Sequence, residues 1–153
     1  MNIETINKEA EIAVAIKKEA VRFDNMGGIM GEAYQKLWAY VAQQGKQMVG
    51  APYCKYTNCS EDFMICDIEL GVPVSEPLPE QGEIYMTKTC EGKAICAMHK
   101  GAYKDIEKTY APMLEYLAAN KLEATGVYYD YYINDPSDTP ESELLTKVLF
   151  LIN

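Results

Sequence analysis

Apolar positions change period along this chain, and they do so twice in the same order. Residues 13–18, AVAIKK, and residues 94–100, AICAMHK, are short strand-like runs. Each is followed by a stripe at i, i+3, i+4, i+7 spacing: Met30, Ala33, Tyr34, Leu37, Trp38 and Val41 in the first case, and Ile106, Tyr110, Met113, Leu114 and Leu117 in the second. Such a period predicts two amphipathic helices, each with one face turned to a core. Tyrosine and β-branched residues then gather in APYCKYTN (51–58) and VYYDYYIN (127–134). DFMICDIELGVPV (62–74) and ELLTKVLFLI (143–152) follow, with Asn58–Glu61 and Asn134–Pro140 as the turns between. Each half reads strand, helix, strand, strand. Pro112 falls inside the second helical stripe, where a missing N–H and a crowded preceding turn cost ~3 kcal/mol, so a kink or restart is expected near Ala111.

The shared order has a counterpart in residue identities. Sliding the chain along itself by 76 positions pairs Tyr34 with Tyr110, Tyr40 with Tyr116, Ala42 with Ala118, Gly50 with Gly126, Tyr53 with Tyr129, Tyr56 with Tyr132, Asn58 with Asn134 and Asp62 with Asp138. These matches run without a gap through two elements and a turn. They suggest a duplicated unit within a single domain spanning residues 1–153. PVSEPLPEQG (73–82), with three prolines and no periodicity, reads as the connector, placing repeat one at about 1–78 and repeat two at about 79–153.

Strand alternation puts Tyr128, Asp130 and Tyr132 on one face and Tyr129, Tyr131 and Ile133 on the other, so one face carries an acid between two phenols. Asp67 and Glu69 share a face opposite Cys66, Ile68 and Leu70, which makes Glu69 a candidate second acid or part of a solvated sheet face. Trp38 belongs to the helical stripe, so it either packs on the sheet or walls a groove with its edge. His99 is the only histidine, and no neighbouring Cys, His or Asp gives it metal-ligand spacing. A hydrogen bond at a strand end is the expected role, and neither a metal nor a cofactor is indicated.

A formal charge of −9 with no Lys/Arg cluster opposes phosphate backbones, so direct nucleic-acid binding is not expected. The first residues lack the apolar core of a secretory signal, and no run approaches the ~18 apolar residues of a membrane span, which points to a cytoplasmic protein. Five cysteines with no C-x-x-C spacing read as reduced, mostly buried thiols.

The HKGAY stretch (99–103) and the NDPSDTP stretch (134–140), in the order of elements above, resemble the GyrI-like small-molecule-binding family, which includes effector-binding domains of multidrug-responsive AraC-type and MerR-type regulators. The resemblance implies an α+β domain of two pseudo-twofold-related strand-helix-strand-strand repeats. Their curved, mainly antiparallel sheet would carry helices on one side and a ligand groove between the halves. It further implies that Asp130 stands where the family places an acid, typically Glu, just before the Asn-Asp-Pro turn.

The leading expectation is binding of a small, hydrophobic, cationic organic molecule, with Asp130, Tyr128, Tyr132, Glu69, Trp38 and Tyr56 as candidate contacts. Any regulatory role would need a separate protein. A second expectation, implied by family members that open cyclopropane-containing cytotoxins, is a hydrolase with Asp130 as general base and Tyr132 or Tyr103 as hydrogen-bond donor to the leaving group. A third is a protein-interaction module with a groove filled by its own side chains.

Overall fold

The structure, a computed structural model, describes residues 2–153. In chain order it comprises β1 (Glu4–Lys8), β2 (Ile12–Arg22), α1 (Met26–Gln43), β3 (Tyr53–Thr57), β4 (Ile65–Pro73), β5 (Tyr85–Lys88), β6 (Gly92–Lys100), α2 (Glu107–Ala119), β7 (Ala124–Tyr132) and β8 (Leu145–Ile152). Short 3-10 turns lead into both helices, at Phe23–Asn25 and Tyr103–Asp105. The strands form one antiparallel sheet in the order β1-β6-β8-β7-β3-β4-β2-β5. This is the α+β arrangement that the resemblance implied, built from the repeated order of elements read from the pattern. Exchanging β1–β4 for β5–β8 reverses the order and leaves it otherwise unchanged.

Strands β1 and β5 add to the predicted unit. They are the two sheet edges, and each pairs with a strand of the opposite half: β1 with β6, and β5 with β2. ETINK and YMTK are short and mixed in polarity, and their stability comes from these non-local ladders rather than from a pattern of their own.

Both helices pack on one sheet face. Leu37 and Val41 of α1 join Ile16, Ile68 and Leu70 in one buried cluster, while Met113 and Leu117 of α2 join Ile95, Val148 and Phe150 in another. The other face has its own core of Tyr53, Tyr129, Tyr131, Leu149 and Leu151. Sheet curvature brings the β1–β2 and β5–β6 turns together over it: the Thr89 N–H donates to the Glu11 carbonyl at 2.8 Å. Tyr131 hydroxyl donates to the Glu11 carboxylate at 2.7 Å, and the Lys8 ammonium lies 4.7 Å from the Tyr129 ring centre. Tyr53 lies across Gly71, its cross-strand partner, so closely that a Cβ there would fall 2.3 Å from the ring.

Two corrections follow. The expected restart of α2 near Ala111 does not occur, since the helix runs through Pro112 without ending. The proline lies in the second turn, where the N–H it lacks would have bonded only the carbonyl of Lys108. Cys59 and Cys66 form a disulfide, leaving Cys54, Cys90 and Cys96 free. The β3–β4 hairpin folds the chain back so that these two residues face each other, a consequence of pairing that cysteine spacing does not reveal. No helix among the described residues is long and apolar enough to cross a membrane.

Candidate functional site

The centre of the sheet is the seam where β3 pairs with β7, and there Cys54 lies directly opposite Asp130. These two residues are 76 apart in sequence, the offset that relates the halves, so they occupy equivalent positions astride the pseudo-twofold axis. In β7 the register with β8 shifts between Ala124 and Tyr128, around Gly126 at φ +94°; four steps along β7 match two along β8, so parity is unchanged and Asp130 keeps the face of Ala124. A side chain is strained in that conformation, and glycine accepts it freely. Beyond the bulge, alternation turns Tyr128, Asp130 and Tyr132 toward the helices, while Tyr129 and Tyr131 fill the opposite core.

Asp130 is only 2% exposed. Its Oδ2 accepts hydrogen bonds from the Tyr110 hydroxyl at 2.6 Å and the Tyr56 hydroxyl at 2.9 Å. No lysine or arginine pairs with it among the described residues. Burial pushes its carboxyl up to about 6, and the two phenol hydrogen bonds hold it below what burial alone would give. The surrounding groups move away from neutrality: burial, reinforced by the Asp130 charge, pushes Tyr34, Tyr56, Tyr110, Tyr132 and the Cys54 thiol well above their ordinary values. Asp130 is thus the one group of this cluster poised near neutral pH.

Two cavities flank the acid on the helix side. The smaller, about 260 Å³, is walled by Tyr56, Tyr110, Tyr128, Phe63 and Leu114, with the Cys59–Cys66 disulfide at one side and Asp62 and Glu107 among its lining carboxylates. The larger, about 530 Å³, is walled by Tyr34, Trp38, Tyr103, Tyr132, Met30 and Met48, with Asp135 in the Asn-Asp-Pro turn. Neither has a lysine or arginine in its lining among the described residues. Hydrogen bonds from Ser60 and Ser137 help hold Asp62 and Asp135 below the usual carboxylate range.

The residues singled out from sequence are therefore dispersed. Tyr56 and Tyr128 line the smaller cavity, whereas Trp38, Tyr132 and Tyr103 line the larger. Trp38 is 42% exposed and stacks on Tyr34, with ring centres 5.8 Å apart. Asp130 sits behind the tyrosines, lining neither cavity. Glu69 is not part of this group. It faces the helix-free side, where its carboxylate accepts hydrogen bonds from Tyr53 at 2.9 Å and Tyr85 at 2.7 Å. Alternation along β4 puts it there, since Ile68 and Leu70 take the helix side.

His99 is buried, with its ring nitrogens 2.8 Å from the Thr109 hydroxyl and 2.9 Å from the Ala102 carbonyl, pinning the start of α2 to β6. The partner that sequence reasoning missed is Tyr110, which belongs to the helical stripe and looked like core. The offset pairing of Tyr34 with Tyr110 was the available signal: both helices deliver a phenol to the same seam.

The whole chain, residues 1–153, matches the GyrI-like small molecule binding domain family, and the protein belongs to that family. Among solved structures it resembles the C-terminal domain of EcmrR, at 16% identity and TM-score 0.81, over 99% of this chain and 97% of that one. It also resembles SAV2435 bound to tetraphenylphosphonium, at 13% identity and TM-score 0.72, over 100% and 94%. A hydrolase from Listeria innocua aligns at 14% identity and TM-score 0.69, over 99% and 91%. No match was found among curated protein sequences.

Proposed function

We propose that this protein binds a small, hydrophobic, cationic organic molecule on the helix side of the β3–β7 seam, acting as a sensor or sequestering protein. The observation that carries this reading is Asp130, a buried carboxylate with no basic partner among the described residues, reached through tyrosines that wall apolar cavities. A cation resting on Tyr56 or Tyr110 gains ~0.5–2 kcal/mol from the ring face and lies one hydroxyl from the charge. Acidic rims, with no basic lining residue among those described, favour the same sign of ligand. SAV2435, of the same fold, has been solved with a lipophilic phosphonium bound.

Titration calorimetry at pH 8 with methyltriphenylphosphonium and neutral triphenylphosphine oxide tests the proposal. The cation binds more tightly, and Asp130→Asn weakens it about 5- to 150-fold, ~1–3 kcal/mol, while leaving the oxide nearly unchanged. Equal losses for both compounds, or none for either, refute it.

A second reading, hydrolysis, is favoured by the Asp130 carboxyl at about 6, a value suited to a general base near neutrality. A structural neighbour is named as a hydrolase. On this reading the phenols within reach of the acid are Tyr56 and Tyr110 rather than Tyr132 or Tyr103. We place binding first and expect a cyclopropane-bearing alkylating compound to survive incubation at the buffer rate. Several turnovers per protein, lost in Asp130→Asn, would reverse that order.

A further inference from the structure

The two cavities are images of one another under the relation between the halves. Adding 76 to residues of the larger cavity gives residues of the smaller: Gly31 becomes Glu107, Tyr34 becomes Tyr110, Gln35 becomes Ala111, Trp38 becomes Leu114. Pro52 becomes Tyr128, while Tyr132 minus 76 is Tyr56. Along β7 the relation is direct, since Tyr128 faces the smaller cavity, Tyr132 the larger, and Asp130 stands between them on the same face. The symmetry is broken on the axis itself, where the equivalent of Asp130 is the neutral thiol Cys54. One charge therefore serves two apolar, aromatic chambers.

Resting on the proposed function, we propose that each chain has two ligand subsites, one per cavity, each taking a single-ring aromatic cation with Asp130 as the shared counter-charge. Volumes of about 260 and 530 Å³ each have room for one such ring, set against roughly 300–1,000 Å³ for ordinary ligand pockets. The subsites are unequal. Trp38 and Tyr34 give the larger cavity a stacked pair, while Leu114 stands in the Trp38 position of the smaller. Because the second cation meets an acid already compensated by the first, its step is weaker, by roughly tenfold for charges ~10 Å apart at a near-surface dielectric.

Steric filling separates the subsites. Gly31 has open space where a Cβ would point and lies in the larger cavity, so Gly31→Leu occupies that chamber and also favours the helix. Ala111→Phe occupies the smaller one. The probe is benzyltrimethylammonium, measured by calorimetry for stoichiometry and by fluorescence of Trp38, the only tryptophan, for occupancy of the larger cavity. The expected result is two equivalents for the wild type and one for each variant, with the fluorescence response lost in Gly31→Leu and kept in Ala111→Phe. The equivalent each variant retains reports that it is folded. One equivalent in the wild type, abolished by one filling and untouched by the other, overturns the two-subsite proposal while leaving the proposed function standing. No binding by the wild type, to this probe or to methyltriphenylphosphonium, overturns both.

Discussion

The affinity for a lipophilic cation should rise through pH 6, and the size of the step follows from Asp130. Its carboxyl is pushed up to about 6 by burial and has no basic partner among the described residues to keep it ionised when the ligand is absent. A cation seated on Tyr56 or Tyr110 lies ~6 Å from the carboxylate, one hydrogen bond plus one ring contact away, where attraction at an effective dielectric of ~20 is roughly 3 kcal/mol, or about 100-fold in affinity. The protonated protein is thus a poor receptor. One unit below the pKa about a tenth of the free protein carries the charge, so apparent affinity at pH 5 should be about a tenth of its pH 8 value. The tyrosines and the Cys54 thiol around the acid, pushed up by burial, stay neutral across this range. Calorimetric titrations of methyltriphenylphosphonium at half-unit intervals from pH 5 to pH 8 give the profile. Triphenylphosphine oxide should give a flat one. Asp130→Asn should remove the step and leave weak, pH-independent binding. A flat wild-type profile, or a step that survives in Asp130→Asn, refutes the assignment and points to another titrating group.

Stability should run the opposite way. A carboxyl whose folded value is raised stabilises fully below its unfolded pKa and loses that contribution as pH rises through about 6. Relative to Asp130→Asn, the wild type should therefore lose roughly 3 kcal/mol between pH 4 and pH 7 in urea unfolding, and a constant difference would argue against the burial. Tyr110→Phe removes the shorter of the two hydrogen bonds to Asp130, so the midpoint of the cation-affinity profile should move above pH 6, and an unmoved midpoint would show that the bond does not act on the carboxylate. Gly71→Ala forces a Cβ into the fully buried Tyr53 ring and should cost ~1–3 kcal/mol in the same unfolding assay, with a neutral result refuting that packing. Replacing Cys59 and Cys66 together by serine opens a loop with a sequence separation of 7 and should cost roughly 2–3 kcal/mol; an unreduced protein that alkylates at all five cysteines would contradict the bond itself.

Elements with strong periods were legible in the sequence, and so was the orientation of Asp130, because alternation along VYYDYYIN needs only local geometry. What escaped was set by partners distant in sequence. ETINK and YMTK gain their strand character from β6 and β2, and Cys59 meets Cys66 through a hairpin. Glu69 and Asp130 looked alike as acids on strands, yet the sheet has two cores and the parity of each strand sends them to different ones. Tyr110 was visible as helical stripe, and only docking of α2 onto the seam makes it a partner of the acid.

The exchanged edge strands bear on how a ligand gets in. Because β1 is bonded to β6 and β5 to β2, each half is clasped at its outer margin by a strand of the other, and the β3–β7 seam is stitched in the middle. Opening the two halves like a book would break three ladders at once. On the proposed function, admission falls to the parts that these ladders do not bind: the helices, the β3–β4 turn and the Asn-Asp-Pro turn that line the cavities. The sheet would then serve as the floor of the site and those elements as its roof, and a ligand bound for Asp130 would enter through the roof.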